Sequence, residues 1–271
     1  MKRPQALVWS NEEIMPGTQL LWLKSPQISS IAEPGQYVMI RCGEGAELPL
    51  RRPLSIHRIE GDYCAFLFRK TGKGTGWLSE QPAGNNIDLI GPLGNGFSIH
   101  PASRNLLLVA GGIGIAPLRF LVDTALGQGK KITLLMGASS VAQLLPIETT
   151  PTHTTSDETL SAEIYIKRST EDGSAEYRGM VTELIGTCDS ERIDQVFACG
   201  PSAMYREMVI RRNEMGLREK PVQASLEMRM GCGLGICYAC TINTSSGLKQ
   251  VCRDGPVFEL ADILWDDLVP K

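Results

Sequence analysis

Four cysteines near the C-terminal end constrain the fold of this chain more than any other feature. Three of them follow the spacing C-x4-C-x2-C, eleven residues separate the third from the fourth, and glycines recur at every second position at the start of the run. This spacing is one by which four thiolates hold a 2Fe–2S cluster. Glycines allow the dihedral angles and the close backbone approach that a loop wrapped around a cluster needs. The predicted metal ligands are Cys232, Cys237, Cys240 and Cys252.

A structural zinc site is the alternative interpretation of these cysteines, because zinc also takes four thiolates. Zinc sites more often show two separated pairs of cysteines than a tight run of three, so the spacing favours the cluster. Three of the other cysteines have no comparable setting and are interpreted as buried or incidental thiols, since a free cysteine behaves as a small hydrophobic residue. These three are Cys42, Cys64 and Cys188.

Charge and hydropathy exclude several classes of protein. The 271 residues carry a formal net charge of −3, so a basic protein that neutralises nucleic-acid phosphates is not expected. No uninterrupted apolar run approaches the roughly 20 residues of a membrane-spanning helix. The N-terminus lacks the long apolar core and the cleavage site of an export signal, which indicates a cytoplasmic protein. In that reducing compartment, clustered cysteines favour a metal site over disulfides.

The pattern of the chain divides it into three pieces, which predicts a multi-domain α+β fold. The first piece consists of short apolar or alternating runs separated by glycine and proline turns, which predicts an antiparallel barrel. In the second piece apolar strands alternate with helices, which predicts a doubly wound, mostly parallel α/β sheet. The third is short and cysteine-rich, so a bound cofactor is expected to organise it. The predicted boundaries are 1–101 for the barrel, 102–221 for the α/β domain and 222–271 for the cluster-bearing piece.

Two short motifs in the barrel region suit a ligand that has a flat ring and a diphosphate. The first is RRPLSI, in which Arg52 can meet phosphate charge with a forked donor and Ser55 can hydrogen-bond a ring edge. The second is the turn GKGTG before a short helix, which offers open amides to a diphosphate. Taken alone, each motif is equally consistent with solvated surface or an ordinary turn.

Another glycine turn follows a buried apolar strand and opens a helix. Its glycines are Gly111, Gly112 and Gly114, in the segment AGGIGIAP. This segment is not the G-x-G-x-x-G fingerprint, but a glycine turn at a helix N-terminus still suits the diphosphate or ribose of a nicotinamide dinucleotide. A tight turn without a ligand is the alternative. Cys199 and Gly200 end a second buried strand, where Cys199 is interpreted either as a pocket residue or as a merely buried thiol.

Six motifs occur in the order of a known family. They are RRPLSI, GKGTGWL, GPLGNGF, AGGIGIAP, ACGP and SLEMRMGCGLGICYAC…VCRDGPVF, and they cover essentially the whole chain. They resemble the electron-transfer subunits of two-subunit, NAD-dependent dihydroorotate dehydrogenases, within the ferredoxin–NADP reductase superfamily. The resemblance implies FAD on the barrel, NAD(H) at the glycine turn and beside Cys199 and Gly200, and a 2Fe–2S cluster on the four cysteines. The implied FAD contacts are Arg52, Pro53, Leu54, Ser55, Leu67, Phe68, Arg69, Gly74 and Thr75.

The resemblance also implies a partner. That partner is a catalytic, FMN-binding dihydroorotate dehydrogenase subunit that forms orotate in pyrimidine biosynthesis, in a heterotetramer of two copies of each subunit. This chain is then expected to carry electrons between NAD(H) and the partner, with no catalytic side chain of its own. The segment GASS at 137–140 lacks an arginine that would grip a 2′-phosphate, which favours NAD over NADP.

Two other functions stay open on the sequence. The same superfamily includes subunits of hydrogenases, sulfite reductases and NADH-dependent ferredoxin:NADP oxidoreductases, which share the barrel, the dinucleotide domain and a similar cluster. A non-enzymatic module whose cysteines hold zinc is the second. The identity of the partner distinguishes these other electron-transfer subunits from a dihydroorotate dehydrogenase subunit. Absorption by flavin and an iron–sulfur cluster would exclude the zinc-binding module.

Overall fold

The first unit of the fold is a seven-stranded antiparallel sheet. The computed structural model describes residues 5–43, 48–147 and 163–266. In the sheet the strands are β1 Gln5–Met15, β2 Thr18–Lys24, β3 Tyr37–Ile40, β4 Arg52–Ser55, β5 Arg58–Glu60, β6 Tyr63–Arg69 and β7 Asn86–Leu93, and the helices of this unit are α1 Pro26–Ser29 and α2 Lys73–Ser79. The spatial order is β4-β3-β7-β1-β2-β6-β5.

The two edges of this sheet meet, so that it forms a barrel. Only Ile56 and His57 separate β4 from β5 along the chain. The Ile56 amide donates to the Gln36 carbonyl beside β3 (3.0 Å), and the His57 amide donates to the Ala65 carbonyl in β6 (2.8 Å). One continuous segment therefore bonds to both sides of the sheet around a core that includes the fully buried Phe66. The predicted antiparallel barrel is confirmed.

The second unit is a seven-stranded sheet in which six neighbouring strands are parallel. Its strands are β8 Asn105–Gly111, β9 Lys131–Ala138, β10 Glu163–Thr170, β11 Tyr177–Arg178, β12 Gln195–Cys199, β13 Val222–Ser225 and the antiparallel β16 Val257–Glu259, and its helices are α3 Ile115–Gly127, α4 Val181–Ile185 and α5 Ser202–Ile210. The spatial order is β11-β10-β9-β8-β12-β13-β16. This is the predicted doubly wound α/β sheet.

Apolar cores cover both faces of this sheet. Leu106 and Leu108 of β8 pack in the core that includes α3, whereas Leu107 and Val109 pack in the core that includes α4 and α5. A strand covered on both faces needs consecutive apolar residues, which explains why β8 has no polar alternation. The chain leaves β8 toward β9 on one side and returns to β12 on the other, so a crevice opens at the carboxyl ends of β8 and β12.

The third piece begins after β13 with the cysteine loop. It continues through the hairpin β14 Thr241–Thr244 and β15 Gly247–Gln250 and the short helix α6 Val251–Asp254 before β16 returns to the second sheet. The predicted boundary at residue 222 falls at the first residue of β13, a strand of the parallel sheet, and it stays a prediction. No helix in the described ranges has the length and apolar character needed to cross a bilayer.

The loop after β7 joins the three pieces. The Asn95 amide donates to the Gly255 carbonyl just after α6 (2.6 Å), and the Phe97 amide donates to the Pro34 carbonyl of the barrel (2.7 Å). The Phe97 ring also meets Phe197 of β12 edge to face, with the ring centroids 5.6 Å apart. This loop is the second part of the GPLGNGF motif, whose first three residues end β7, and it fixes the cluster-bearing piece against both larger units.

Candidate functional site

The four predicted cluster ligands come together in the structure. Cys232, Cys237 and Cys240 lie in the loop before β14, and Cys252 lies in α6. They form two pairs, because Cys237 is the neighbour that influences the Cys232 thiol, and the Cys252 amide donates to Cys240 Sγ (3.4 Å). A 2Fe–2S cluster divides four thiolates between two irons, so the two pairs fit it. Among the described residues, no group of three or more His, Cys, Asp or Glu side chains is placed to hold a single metal ion.

Main-chain amides of the loop point at the cysteine sulfurs. The amides of Leu234 and Ile236 donate to Cys232 Sγ (3.3 and 3.4 Å), and the Gly235 amide donates to Cys252 Sγ (3.2 Å). Burial raises the pKa of the Cys232 thiol, but the amide hydrogen bonds outweigh it and lower that pKa to about 6. Metals bind the thiolate, not the thiol. The loop amides therefore stabilise negatively charged sulfur at Cys232, whereas at Cys252 burial prevails and raises the pKa of the thiol to about 11.

Two glycines let this loop turn tightly enough to surround the cysteines. Gly233 and Gly235 have φ angles of +71° and +77°, in the left-handed region that other residues rarely adopt. A Cβ at Gly233 would lie 2.5 Å from Met39 Cγ, and one at Gly235 would lie 3.0 Å from Arg253 Cδ. The loop consequently packs directly on the barrel strand β3 and on α6.

Tyr37 of β3 anchors the cluster loop to the barrel. Its hydroxyl lies within hydrogen-bonding distance of the carbonyl oxygens of Gly233 (3.2 Å) and Cys252 (3.1 Å), so these two carbonyls at the two ends of the cysteine loop share its single hydrogen. The side chain is buried, and burial together with the neighbouring cysteines raises the pKa of its phenol. Tyr37 therefore stays a neutral donor at physiological pH.

The predicted flavin strand is the neighbour of β3. β4 contains Arg52–Ser55 and pairs antiparallel with β3, with Tyr37 opposite Ser55 and Met39 opposite Pro53. Paired strands lie about 4.8 Å apart. The residues that contact the cluster loop and the residues of the predicted flavin strand thus sit side by side in one sheet.

The structure brings Arg52 and the glycine turn of α2 together. A Cβ at Gly74 would lie 2.8 Å from Arg52 Nε, so glycine is needed for the guanidinium to cross the first turn of the helix. The Thr75 hydroxyl accepts hydrogen bonds from the Thr71 and Gly72 amides (2.9 and 3.2 Å) and closes this turn. A fixed guanidinium beside a helix N-terminus suits a diphosphate, so these residues fit FAD.

The remaining predicted flavin residues have different surroundings. Leu67 and Phe68 have buried side chains inside apolar cores, and Arg69 at the end of β6 is exposed. β5 pairs only with Tyr63–Ala65, the first half of β6. In the second half of β6, it is the main chain of Leu67 and Phe68 rather than their side chains that can reach a ligand.

The predicted nicotinamide residues meet at the crevice of the parallel sheet. Ala110 of β8 pairs with Cys199 of β12, so the glycine turn after β8 lies beside Gly200. A Cβ at Gly111 would lie 2.8 Å from Pro201 Cδ, and one at Gly114 would collide with the Cys199 carbonyl. Glycines at these positions leave two bare backbone segments facing one another, which suits close approach of a dinucleotide.

Cys199 and Gly200 are held by Tyr205, a residue that the sequence analysis missed. The Gly200 amide donates to the Tyr205 hydroxyl (3.0 Å), which in turn donates to the Ser225 carbonyl (2.6 Å). Burial raises the pKa of the Cys199 thiol to about 12, so it is a neutral thiol at physiological pH. A tyrosine at the fourth position after ACGP is the sequence signal that could have revealed this contact.

A buried histidine joins the barrel to the nicotinamide turn. His57 Nδ1 lies 2.9 Å from the Ala116 carbonyl oxygen at the start of α3, and burial lowers the pKa of this imidazole to about 4. Nearby, Asp123 of α3 forms ion pairs with Arg58 of β5 (3.1 Å) and with Arg119 (2.9 Å). These contacts fix the flavin side of the barrel against the helix that carries the glycine turn.

Two cavities lie near these elements. One, of about 120 Å³, is lined by Gly200, Tyr205, Glu227 and Trp265 among others, so it opens beside the predicted nicotinamide residues. The other, of about 520 Å³, lies between the loop at 94–99, the segment at 33–36 and α3, and none of the predicted cofactor residues lines it.

Comparison with known proteins identifies both C-terminal units. Residues 108–209 match the oxidoreductase NAD-binding domain, and residues 227–264 match the iron–sulfur cluster binding domain of dihydroorotate dehydrogenase B. The chain is 34% identical to the dihydroorotate dehydrogenase B (NAD(+)) electron transfer subunit of Desulforamulus reducens, over 93% of this chain and 95% of that protein. It is 36% identical to the same subunit of Geobacillus sp. strain WCH70, over 97% of this chain and 99% of that protein.

A solved structure confirms the fold over nearly the whole chain. The NADH-dependent reduced ferredoxin-NADP oxidoreductase superposes with a TM-score of 0.81 at 31% identity, covering 97% of this chain and 91% of the other. An Amycolatopsis cytochrome P450 reductase superposes with a TM-score of 0.64 at 24% identity, covering 83% and 70%, and supports the fold alone.

The class of the protein follows from the reductase fold and its cysteine-bearing end: it is an NAD-linked oxidoreductase of the ferredoxin-reductase type with an iron–sulfur domain. The predicted cofactor set of FAD, 2Fe–2S and NAD is confirmed by the same domains. More narrowly, the chain belongs to the family of dihydroorotate dehydrogenase B electron transfer subunits.

Proposed function

We propose that this chain passes electrons between NAD(H) and an FMN-containing dihydroorotate dehydrogenase subunit in pyrimidine biosynthesis. Bound FAD would convert the two-electron chemistry of nicotinamide into the single-electron transfers of a 2Fe–2S cluster. The observation that carries the proposal is the pairing of β4 with β3, because β3 bears the Tyr37 contact to the cysteine loop. The flavin motif and the cluster motif are thereby separated by one strand.

The residues of this chain act by binding and positioning. In this proposal Arg52 and the turn at Gly74 hold the flavin diphosphate, and the turn at Gly111–Gly114 holds the nicotinamide dinucleotide opposite Cys199. Hydride and electron transfer between held cofactors needs no side chain as a general acid or base, so no catalytic residue is assigned. The neutral state of the Cys199 thiol is consistent with a role in shaping the pocket.

The preference for NAD over NADP has support at the edge of the parallel sheet. Glu171 and Asp172 follow β10, and their amides donate to the carbonyls of Ala138 and Ser139 at the end of β9 (3.1 and 3.2 Å). Two carboxylate side chains next to this edge would repel a 2′-phosphate, whereas a ribose hydroxyl can donate to a carboxylate. This complements the missing arginine in the segment GASS.

The partner is proposed to dock over the cysteine loop. Ile236 and Tyr238 beside Cys237 expose 73% and 70% of their surface, and Leu248 at the tip of the hairpin exposes 72%. Exposed apolar residues in the cysteine loop and in the hairpin that follows it are typical of a protein interface. We call Leu234, Ile236, Tyr238 and Leu248 the apolar rim of the cluster. The proposed assembly is a heterotetramer of two copies of each subunit in the cytoplasm.

The test is co-purification of the full-length chain from its host, with absorption spectroscopy and activity assays. The proposal expects a yellow-brown protein with one FAD and two iron atoms per chain. It also expects NADH oxidation with artificial acceptors, and dihydroorotate oxidation only with the FMN-containing partner. Orotate formation by the chain alone would contradict the division of labour, and a colourless zinc protein would contradict electron transfer.

A second candidate function rests on the superposition with the NADH-dependent ferredoxin-NADP oxidoreductase. In that case the chain would be a subunit of another electron-transfer complex, such as a ferredoxin-NADP oxidoreductase, a hydrogenase or a sulfite reductase. The co-purifying partner distinguishes the two, because only the dihydroorotate dehydrogenase complex forms orotate.

A further inference from the structure

Gln250, the last residue of β15, has a buried side-chain amide that bonds to nothing within the described chain. The side chain is 5% exposed, and both Nε2 and Oε1 are buried without a hydrogen-bond partner. The main chain of the same residue has partners, because its amide donates to Asp254 Oδ2 (2.7 Å) and the residue pairs with Thr241 of β14. Buried polar side chains nearly always have partners, so two unpaired atoms on one carboxamide indicate a missing one.

The position of this carboxamide points to the cysteine loop. A Cβ at Gly235 would lie 3.1 Å from Gln250 Oε1, so the end of the glutamine rests against Gly235. The amide of that same glycine donates to Cys252 Sγ (3.2 Å), and Gln250 precedes Cys252 by two residues. The unpaired carboxamide is therefore next to the Cys240–Cys252 pair rather than in the interior of an apolar core.

A partly buried amide elsewhere in the molecule shows what a structural role looks like. Asn11 Nδ2 lies within hydrogen-bonding distance of the carbonyls of Leu78, Ser79 and Gln81 (2.9, 3.2 and 3.1 Å) and ties the end of α2 to β1, although its Oδ1 is also buried without a partner. Gln250 makes no such link between elements. An apolar side chain of similar length would fill its space without burying unpaired polar atoms, so its amide has no function in the fold itself.

We propose that Gln250 donates a hydrogen bond from Nε2 to an inorganic sulfur of the bound 2Fe–2S cluster. This inference rests on the proposed function, because it requires the cluster. A donor to sulfur stabilises the reduced cluster, which carries the extra negative charge, and so raises its reduction potential. Gln250 would thus tune the cluster in the way that the main-chain amides of Leu234 and Gly235 do, but through a replaceable side chain.

The experiment is an anaerobic redox titration of the full-length, cluster-loaded chain, followed by electron paramagnetic resonance of the reduced cluster. Gln250→Met keeps the length of the side chain and removes the donor, and Gln250→Glu keeps its shape and replaces the donor by an acceptor. Gln128→Met, at an exposed position after α3, is the matched control. Both Gln250 variants are expected to have a lower potential than the wild type and the control. At a fixed applied potential, the ratio of reduced to oxidised cluster is expected to fall about tenfold in the variants. For a one-electron couple this corresponds to a decrease of about 59 mV in the reduction potential.

A second readout reports the hydrogen bond itself. Pulsed resonance of the reduced wild-type cluster in D₂O is expected to show one more exchangeable hydrogen coupled to the cluster than Gln250→Met does. Unchanged potentials in both variants at full iron content would overturn the role of Gln250. Loss of the cluster in both variants would overturn it too, because a residue that only tunes the potential is not needed for assembly. Absence of a cluster from the wild type would instead contradict the proposed function.

Discussion

The hydroxyl of Tyr37 lies 3.1 Å from the carbonyl oxygen of Cys252, and this hydrogen bond ties the barrel to the cluster loop. Because Tyr37 is opposite Ser55 in the β3–β4 pairing, the same residue also fixes the distance from the loop to the predicted flavin strand. The sheet of the barrel is therefore the scaffold that holds the two redox sites in register.

Replacing Tyr37 by Phe removes this link and leaves two carbonyls unpaired. The expected result is a loss of about 1–3 kcal/mol in the free energy of unfolding and slower electron transfer from NADH to the cluster. Thermal unfolding and stopped-flow reduction of the full-length chain measure the two effects. Tyr63→Phe is the control, because its ring packs against Trp9 on the outside of the barrel. If both variants unfold and reduce the cluster alike, the Tyr37 hydroxyl does not link the barrel to the cluster loop.

Substituting Gly233 by Ala should prevent the loop from closing. Its φ of +71° is strained for alanine, and the added Cβ would meet Met39 Cγ at 2.5 Å. Iron and acid-labile sulfide content per chain are expected to fall sharply, while FAD content stays near that of the wild type. Gly72→Ala, where a Cβ meets nothing within 4 Å, is expected to keep the cluster. A fully loaded Gly233→Ala protein would show that the tight turn is not required.

His57 should make stability depend on pH. Its pKa is about 4 in the folded protein against 6.5 unfolded, so the unfolded chain binds more protons between these values. The stability that the neutral imidazole contributes is present above pH 6.5 and is lost as the pH falls toward 4, by up to about 3 kcal/mol at about 1.36 kcal/mol per pKa unit. Urea unfolding from pH 4.5 to 7 measures the slope.

The corresponding variant is His57→Gln, which keeps a donor toward the Ala116 carbonyl. It is expected to flatten the pH dependence, whereas His100→Gln at an exposed position should retain it. An unchanged slope in His57→Gln would assign the pH dependence to other groups.

Tyr205→Phe should weaken NADH binding. It leaves the Gly200 amide and the Ser225 carbonyl without their shared partner, so the backbone beside Cys199 loses its fixed position. The KM for NADH in an artificial-acceptor assay is expected to rise about tenfold, which corresponds to about 1.4 kcal/mol, with a smaller change in kcat. Tyr165→Phe, on the outer part of β10 and 61% exposed, is the control. A KM for NADH equal to that of the wild type would show that Tyr205 does not position the nicotinamide site.

A charge on the apolar rim should affect the complex and not the isolated chain. Leu248→Asp is expected to keep FAD, the cluster and NADH oxidation with artificial acceptors, but to weaken association with the partner by tenfold or more, on the order of 1.4 kcal/mol. Size-exclusion chromatography and titration calorimetry measure the association. Ile210→Asp on α5, which is 77% exposed, should associate normally. Normal association of Leu248→Asp would place the partner on another surface.

Most of the architecture could be predicted from the sequence because its patterns were strong. The apolar run 106–109 and the glycines after it predicted a buried strand and turn, and the structure has β8 and α3 there. β1 has no such pattern, since its polar residues at 10–13 interrupt the alternation that identifies a strand. Pairing with β2 on one side and β7 on the other holds this segment in place despite its composition.

The candidate site was predictable only where spacing along the chain carries the information. The cysteine spacing predicted the paired thiols at Cys232, Cys237, Cys240 and Cys252, whereas Tyr37 lies 215 residues from the carbonyl that it contacts. Such a long-range contact leaves no local pattern. Leu67 and Phe68 show the converse limit, because a motif can place residues near a ligand without telling whether the side chain or the main chain faces it.

The most direct test of the proposed electron path is the rate of dihydroorotate-dependent NAD⁺ reduction by the complex of this chain with its FMN-containing partner. The wild-type complex is expected to reduce NAD⁺. The complex that contains Cys240→Ser is expected to lose this activity while still oxidising dihydroorotate with an artificial acceptor. NAD⁺ reduction at the wild-type rate by the Cys240→Ser complex, or by the partner alone, would contradict the path through this chain.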